Sequence, residues 1–172
     1  MEVRYGRLHN ASLAVIATGM VVVAISHFLA KPENAPTLDL ADTRFVLFSG
    51  LAIAMLYFAW QGASRFANRE PQVVIDRDGI RLGLGRDRLI PWKDVQWVRM
   101  GRVALRPALQ ISLVPEAFMT TDLRLSQWTV DDNLRPVRGM PAAFLVRDNG
   151  LDTKASAMLD AIKAVRPNLI KS

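Results

Sequence analysis

The chain has 172 residues, 51% hydrophobic yet 22% charged, with a formal net charge of +6 carried by 17 Arg and 5 Lys against 16 acids. Cysteine is absent, which excludes disulfides and thiolate chemistry, and the two histidines, His9 and His27, have no partner at metal-ligand spacing. The charges are segregated: none occurs from Leu8 to Ala30 or from Phe45 to Ser64, whereas they recur every few residues after Ser64.

"NASLAVIATGMVVVAISHFLA" (10–30) and "FVLFSGLAIAMLYFAWQGAS" (45–64) each approach the ~20 residues that cross a bilayer core. Backbone in hydrocarbon must satisfy its own hydrogen bonds, so both are predicted as helices. Arg4 and Arg7 would also suit a signal peptide, but cleavage after Ala30 would put bulky Phe28 where a small residue is needed. Residues 1–66 thus read as a transmembrane hairpin with an external loop over 31–44. That loop has Lys31 and Arg44 against Glu33, Asp39 and Asp42, a net of −1, whereas Arg4, Arg7, Arg65 and Arg69 flank the spans on the other side. The positive-inside rule then places both termini in the cytoplasm and the loop outside.

Tyr5, Tyr57 and Trp60 fall where amphipathic rings anchor a helix at the membrane interface. Small residues four apart, Ala14 and Thr18 in the first span and Gly50 and Ala54 in the second, would let the two helices approach closely. His27 sits near the outer end of its span with no second intramembrane ionisable group, which disfavours a proton relay.

Beyond Glu70–Pro71, which interrupt helix, the hydrophobic period changes to two. "VVID", an Asp-Gly turn at Asp78–Gly79 and "IRLGL" predict a hairpin with Ile80, Leu82 and Leu84 on one face. "VQWVRM" and "ALQISLV" predict further strands, the second with Leu109, Ile111 and Leu113 inward; "DLRLSQW" and "AAFLV" follow. The stretch "RLIPWKDVQWV" (88–98) leads from the hairpin into the first of these strands. There Pro91 ends a strand, Lys93–Asp94 supply a turn, Val95 and Trp97 begin the next strand on one face, and Trp92 packs into the core. The 119–140 stretch, rich in Thr, Asp, Asn, Arg and Pro, reads as a long loop carrying one edge strand. Ala155, Met158, Leu159, Ile162 and Val165 keep helical spacing, with Asp152 or Thr153 as cap and Pro167 as stop.

The motifs "VVIDRDGIRL", "LIPWKDVQWV" and "GMPAAFLV" before a terminal helix resemble those of bacterial two-span membrane proteins with a cytoplasmic pleckstrin-homology-like (PH-like) domain. The resemblance covers nearly the whole chain, and its shared residues, Asp78, Gly79, Pro91 and Trp92, are structural. It implies an α+β membrane protein: a helical hairpin followed, over 71–172, by an antiparallel β-barrel or sandwich capped by a C-terminal helix.

Motifs for chemistry are missing. Gly83-x-Gly85 lacks the third glycine of a dinucleotide site, and Asp76-x-Asp78-Gly79 lacks the distal glutamate of a calcium loop. No histidine follows residue 27 to serve a serine nucleophile, and Asp131–Asp132 read as a solvated turn. No catalytic residue, metal or cofactor is therefore expected. What remains is charge: from Ser64 to Arg106, nine Arg and one Lys face five acids, a net of +5. Arg65, Arg69, Arg86 and Arg88 are the candidate contacts for anionic lipid or a protein partner. Nucleic acid is not expected, because the cytoplasmic bias accounts for the arginines. The leading expectation is a non-enzymatic binding or scaffolding module at the inner membrane. The alternative is an accessory subunit of a larger membrane assembly or transporter, with the spans as its working part.

Overall fold

The computed structural model describes residues 1–30, 39–83, 88–103, 106–120 and 134–171. They form an α+β structure in two compact units, Gly6–Asn68 and Met1–Tyr5 with Arg69–Ser172. Part of the loop (31–38), Arg86 with Leu84 and Gly85, the "DLRLSQW" segment and Asp131–Asp132 lie outside the described residues.

The first unit is a pair of antiparallel helices, α1 (Arg7–Ala30) and α2 (Thr43–Ala67), each running a few residues beyond its apolar stretch. Asp42 caps α2 by accepting from Arg44 N at 2.9 Å, and the Asn68 amide closes its end on Ser64 O. Both helices are long and apolar enough to cross a membrane. At one end of the pair the Arg7 guanidinium lies 5.1 Å from the Phe66 ring centroid; at the other, Phe28 meets Phe45 and Phe48 edge-on and His27 stacks on Phe48 at 5.9 Å.

The close approach of these helices does involve Ala14, but its partner is Gly62 rather than Gly50. A Cβ added at Gly50 would meet nothing within 4 Å, whereas one at Gly62 would stand 2.7 Å from both Ala14 N and Asn10 O. Sequence spacing identifies glycines four apart from other small residues; it does not fix which one faces the partner helix.

The second unit contains two four-stranded antiparallel sheets. The first runs in sequence order through β1 (Glu2–Val3), β2 (Val73–Ile75), β3 (Gly79–Leu82) and β4 (Arg88–Pro91). In the second, β5 (Val95–Val103) pairs with β6 (Arg106–Leu113), then β8 (Met140–Val146), then β7 (Leu134–Val137). A short helix, α3 (Pro115–Thr120), follows β6 and runs into the start of the stretch read as loop; β7, at the sheet's edge, lies near that stretch's other end, and α4 (Ala155–Val165) follows β8. The inward residues read from the period of two are buried (Ile80, Leu82, Leu109, Ile111 and Leu113), although in β6 the intervening Gln110 and Ser112 are buried as well; Ala155, Met158 and Ile162 of α4 join the apolar ones in one core, while Val165 is exposed.

One local expectation is corrected. α4 is capped neither by Asp152 nor by Thr153: Lys154 stands at the cap position, and the Asp148 carboxylate accepts from Ala155 N at 3.2 Å. Asp152 is instead engaged by the chain's first residues, accepting from Arg4 N at 3.0 Å while its own amide donates to Arg4 O at 2.8 Å.

That contact belongs to the larger difference. Residues 1–5, read from sequence as the lead-in to a membrane span, are part of the β unit. Glu2 and Val3 pair with Val74 and Val73, Gln72 N donates to Val3 O at 2.7 Å, and Tyr5 bridges to Leu151. Val3 is fully buried in the core. The hairpin is therefore an insertion between two adjacent strands of one sheet.

Candidate functional site

The corner 88–98 is built as a structural joint. β4 includes Pro91, which pairs with Gly79, and a 3-10 turn over Trp92–Asp94 leads into β5. Trp92 is 6% exposed; its indole Nε1 donates to Asp76 O at 3.0 Å and its backbone amide to Asp78 O at 3.3 Å. Gly79 is required because a Cβ there would collide with the Ile90 carbonyl. Asp76 Oδ1 accepts from the amides of Asp78 and Gly79 at 2.9 and 3.0 Å, the Asx arrangement that shapes such turns. Asp78, Gly79, Pro91 and Trp92 thus hold the turn to the following strand.

Trp97 behaves differently. Val95 pairs with Leu113 but Trp97 with Ser112, so a β-bulge at Gln96 changes the parity of the strand. Val95 stays in the core, and Trp97 is turned to the opposite face, against the expectation that the two share one. Re-aiming a side chain in this way is a characteristic effect of a bulge.

On that outer face a small polar assembly forms. The Arg99 guanidinium carbon lies 4.8 Å from the Trp97 ring centroid, and Lys171 Nζ lies 5.7 Å from it. Arg99 Nε donates to Gln110 Oε1 at 2.6 Å. Gln110, on the neighbouring strand and 9% exposed, is held across Gly101, where a Cβ would stand 2.5 Å from its Cδ and 2.6 Å from its Cγ. Glycine at 101 therefore makes room for Gln110, Gln110 orients Arg99, and Arg99 stacks on Trp97.

Lys171 arrives from the far end of the chain. Ile170 forms a parallel bridge with Val98 and packs against the core, and Lys171 N donates to Val98 O at 2.9 Å. Alternation along an extended segment then places the Lys171 side chain on the Trp97 and Arg99 face. Nothing in local sequence spacing connects residue 171 with residue 97.

Among the described residues, the basic residues singled out from sequence are divided between the two units. Arg65 is in the last turn of α2, in the helical unit, whereas Arg69 and Arg88 belong to the β unit, both exposed, with Arg88 opening β4. Arg86 lies outside the described residues. Of the expected interface rings, Trp60 is 67% exposed on the hairpin and Tyr57 packs beside it, its hydroxyl accepting from Gln61 Nε2 at 3.3 Å. Tyr5 is half-buried in the β unit. Comparison with protein-family models, with curated proteins and with solved structures finds no match.

Proposed function

We propose that this chain is a non-enzymatic binding module anchored in the cytoplasmic membrane of a bacterium, its hairpin spanning the bilayer and its β unit, a PH-like domain, docking a partner or anionic lipid on the cytoplasmic side. The observation that carries the membrane reading is the inverted polarity of the hairpin. Asn10 and Gln61 are buried in it, whereas Leu8, Val15, Ile16, Leu29, Leu47 and Ile53 are exposed. In water that distribution would leave a broad apolar surface unprotected; in lipid it is the expected one, with polar groups facing the helix pair.

The position of β1 constrains the topology. A strand before the first span pairs with a strand after the second, so both ends of the hairpin must lie on the same side of any membrane it crosses. The flanking Arg4, Arg7, Arg65 and Arg69 favour the cytoplasmic side. The PH-like reading is supported by the meander of the first sheet, by the pair of antiparallel sheets, and by an amphipathic helix that follows β8 and packs on the core; the second sheet, in which β6 neighbours β8 rather than β7, departs from a simple meander.

The chain has no cysteine, so single cysteines can report topology. Asp39→Cys, in the loop between the spans, should react with a membrane-impermeant maleimide in intact cells. Ser156→Cys, exposed on α4, should react only after permeabilisation. Reaction at both positions in intact cells, or the reverse order, would overturn the orientation.

A further inference from the structure

The outer-face assembly at Trp97 offers hydrogen-bond donors without an acid to complete them. Arg99 commits only Nε to Gln110, leaving its two Nη groups, and neither Arg99 nor Lys171 lies within ion-pair distance of a carboxylate among the described residues. Gln110 spends its carbonyl oxygen on Arg99, so the amide Nε2 is its remaining group. The face therefore combines two fixed positive charges, a guanidinium fork and a side-chain amide, and all of them donate.

The geometry is also prepared rather than incidental. Arg99 and Trp97 are half-buried, and Arg99 is held from below by Gln110 and from the side by the indole. A guanidinium restrained in this way loses little further freedom when it meets an oxyanion.

We propose that Trp97, Arg99, Gln110 and Lys171 form a receptor for a phosphomonoester, supplied by a soluble phosphorylated molecule or by a lipid headgroup. A carboxylate brings one charge and two oxygens, which would leave one cation uncompensated. A phosphomonoester carries a charge of about −1.5 to −2 at neutral pH and three acceptor oxygens, matching two cations and the amide. The inference rests on the reading of the β unit as a binding module and names the chemistry it would bind. It places the site on β6, the bulged strand β5 and the C-terminal segment.

The test uses the full chain in non-ionic detergent. Inorganic phosphate is one probe; mixed micelles carrying short-chain phosphatidate, a monoester, are the other, with phosphatidylglycerol, a diester, for comparison. Binding is read by phosphorus NMR line broadening and by tryptophan fluorescence. Saturable binding of either monoester probe, weakened about tenfold to a hundredfold by Arg99→Gln and also weakened by Lys171→Gln, supports the site. The probe that binds identifies the source. Failure of both monoester probes to bind overturns the proposal, as does binding indifferent to both substitutions. Equal binding of phosphatidylglycerol, or displacement by polyglutamate as effective as by phosphate, also overturns it. Near-ultraviolet circular dichroism verifies that each variant is folded. The cysteine-labelling experiment is independent of phosphate, so a negative result here leaves the membrane anchoring and orientation standing.

Discussion

Gly62 of one helix lies against Ala14 of the other so closely that a Cβ at position 62 would stand 2.7 Å from the Ala14 amide nitrogen. The obstructing atoms are backbone, which cannot rotate aside, so even alanine forces the helices apart. Overpacking of this kind costs about 1–3 kcal/mol. Gly62→Ala should therefore lower the unfolding midpoint of the hairpin in a denaturing-detergent titration. Gly50→Ala, which meets open space, should leave it unchanged or raise it slightly through better helix propensity. Equal effects at the two positions would show that the crossing point lies elsewhere.

The first five residues complete the β unit, and Val3 is their anchor. Removing two buried methyl-group equivalents by Val3→Ala costs about 1.6 kcal/mol before any cavity contribution. Val3→Asp, which puts a charge among Val73, Ile75 and Leu82 in the same core cluster, should cost more. Urea unfolding of the full chain in detergent measures both. A fragment beginning at Arg69 should behave like the more damaged variant, because it lacks the strand that pairs with β2. Full stability of that fragment would mean that β1 is dispensable.

These two sites also show which parts of the structure are visible in sequence. Ile80 and Leu82, or Leu109, Ile111 and Leu113, announce their strands because apolar and polar residues alternate within one segment. Glu2–Val3 cannot do so: two residues carry no period, and their partner strand is some 70 positions away across the hairpin. The face of Trp97 is hidden for another reason. Parity counting from Val95 is sound until one extra residue enters the ladder, and no residue at 96 signals that insertion. The Lys171 contact depends on the chain returning to the edge of β5 after α4. Arg65 and Arg69 are legible in sequence as cations beside a span, and Arg88 as one on the hairpin insert, because charge needs no periodicity to be read.

The two tryptophans of 88–98 should separate cleanly into structure and surface. Trp92 donates its indole proton to Asp76 O and is nearly inaccessible. Trp92→Phe keeps most of the apolar area but leaves a carbonyl oxygen without that donor, a change that costs about 1–3 kcal/mol. Trp92→Ala adds a cavity and should cost about 3–5 kcal/mol. Trp97→Phe, on the open side of the bulge, should stay within about 0.5 kcal/mol of the parent chain. It should change the environment of Arg99 and Lys171 while the core remains intact. Urea unfolding monitored by far-ultraviolet circular dichroism gives all three values without relying on the altered fluorophore. If Trp97→Phe destabilised the chain as much as Trp92→Phe, its indole would belong to the core of the β unit, and the outer-face assembly would be a packing feature.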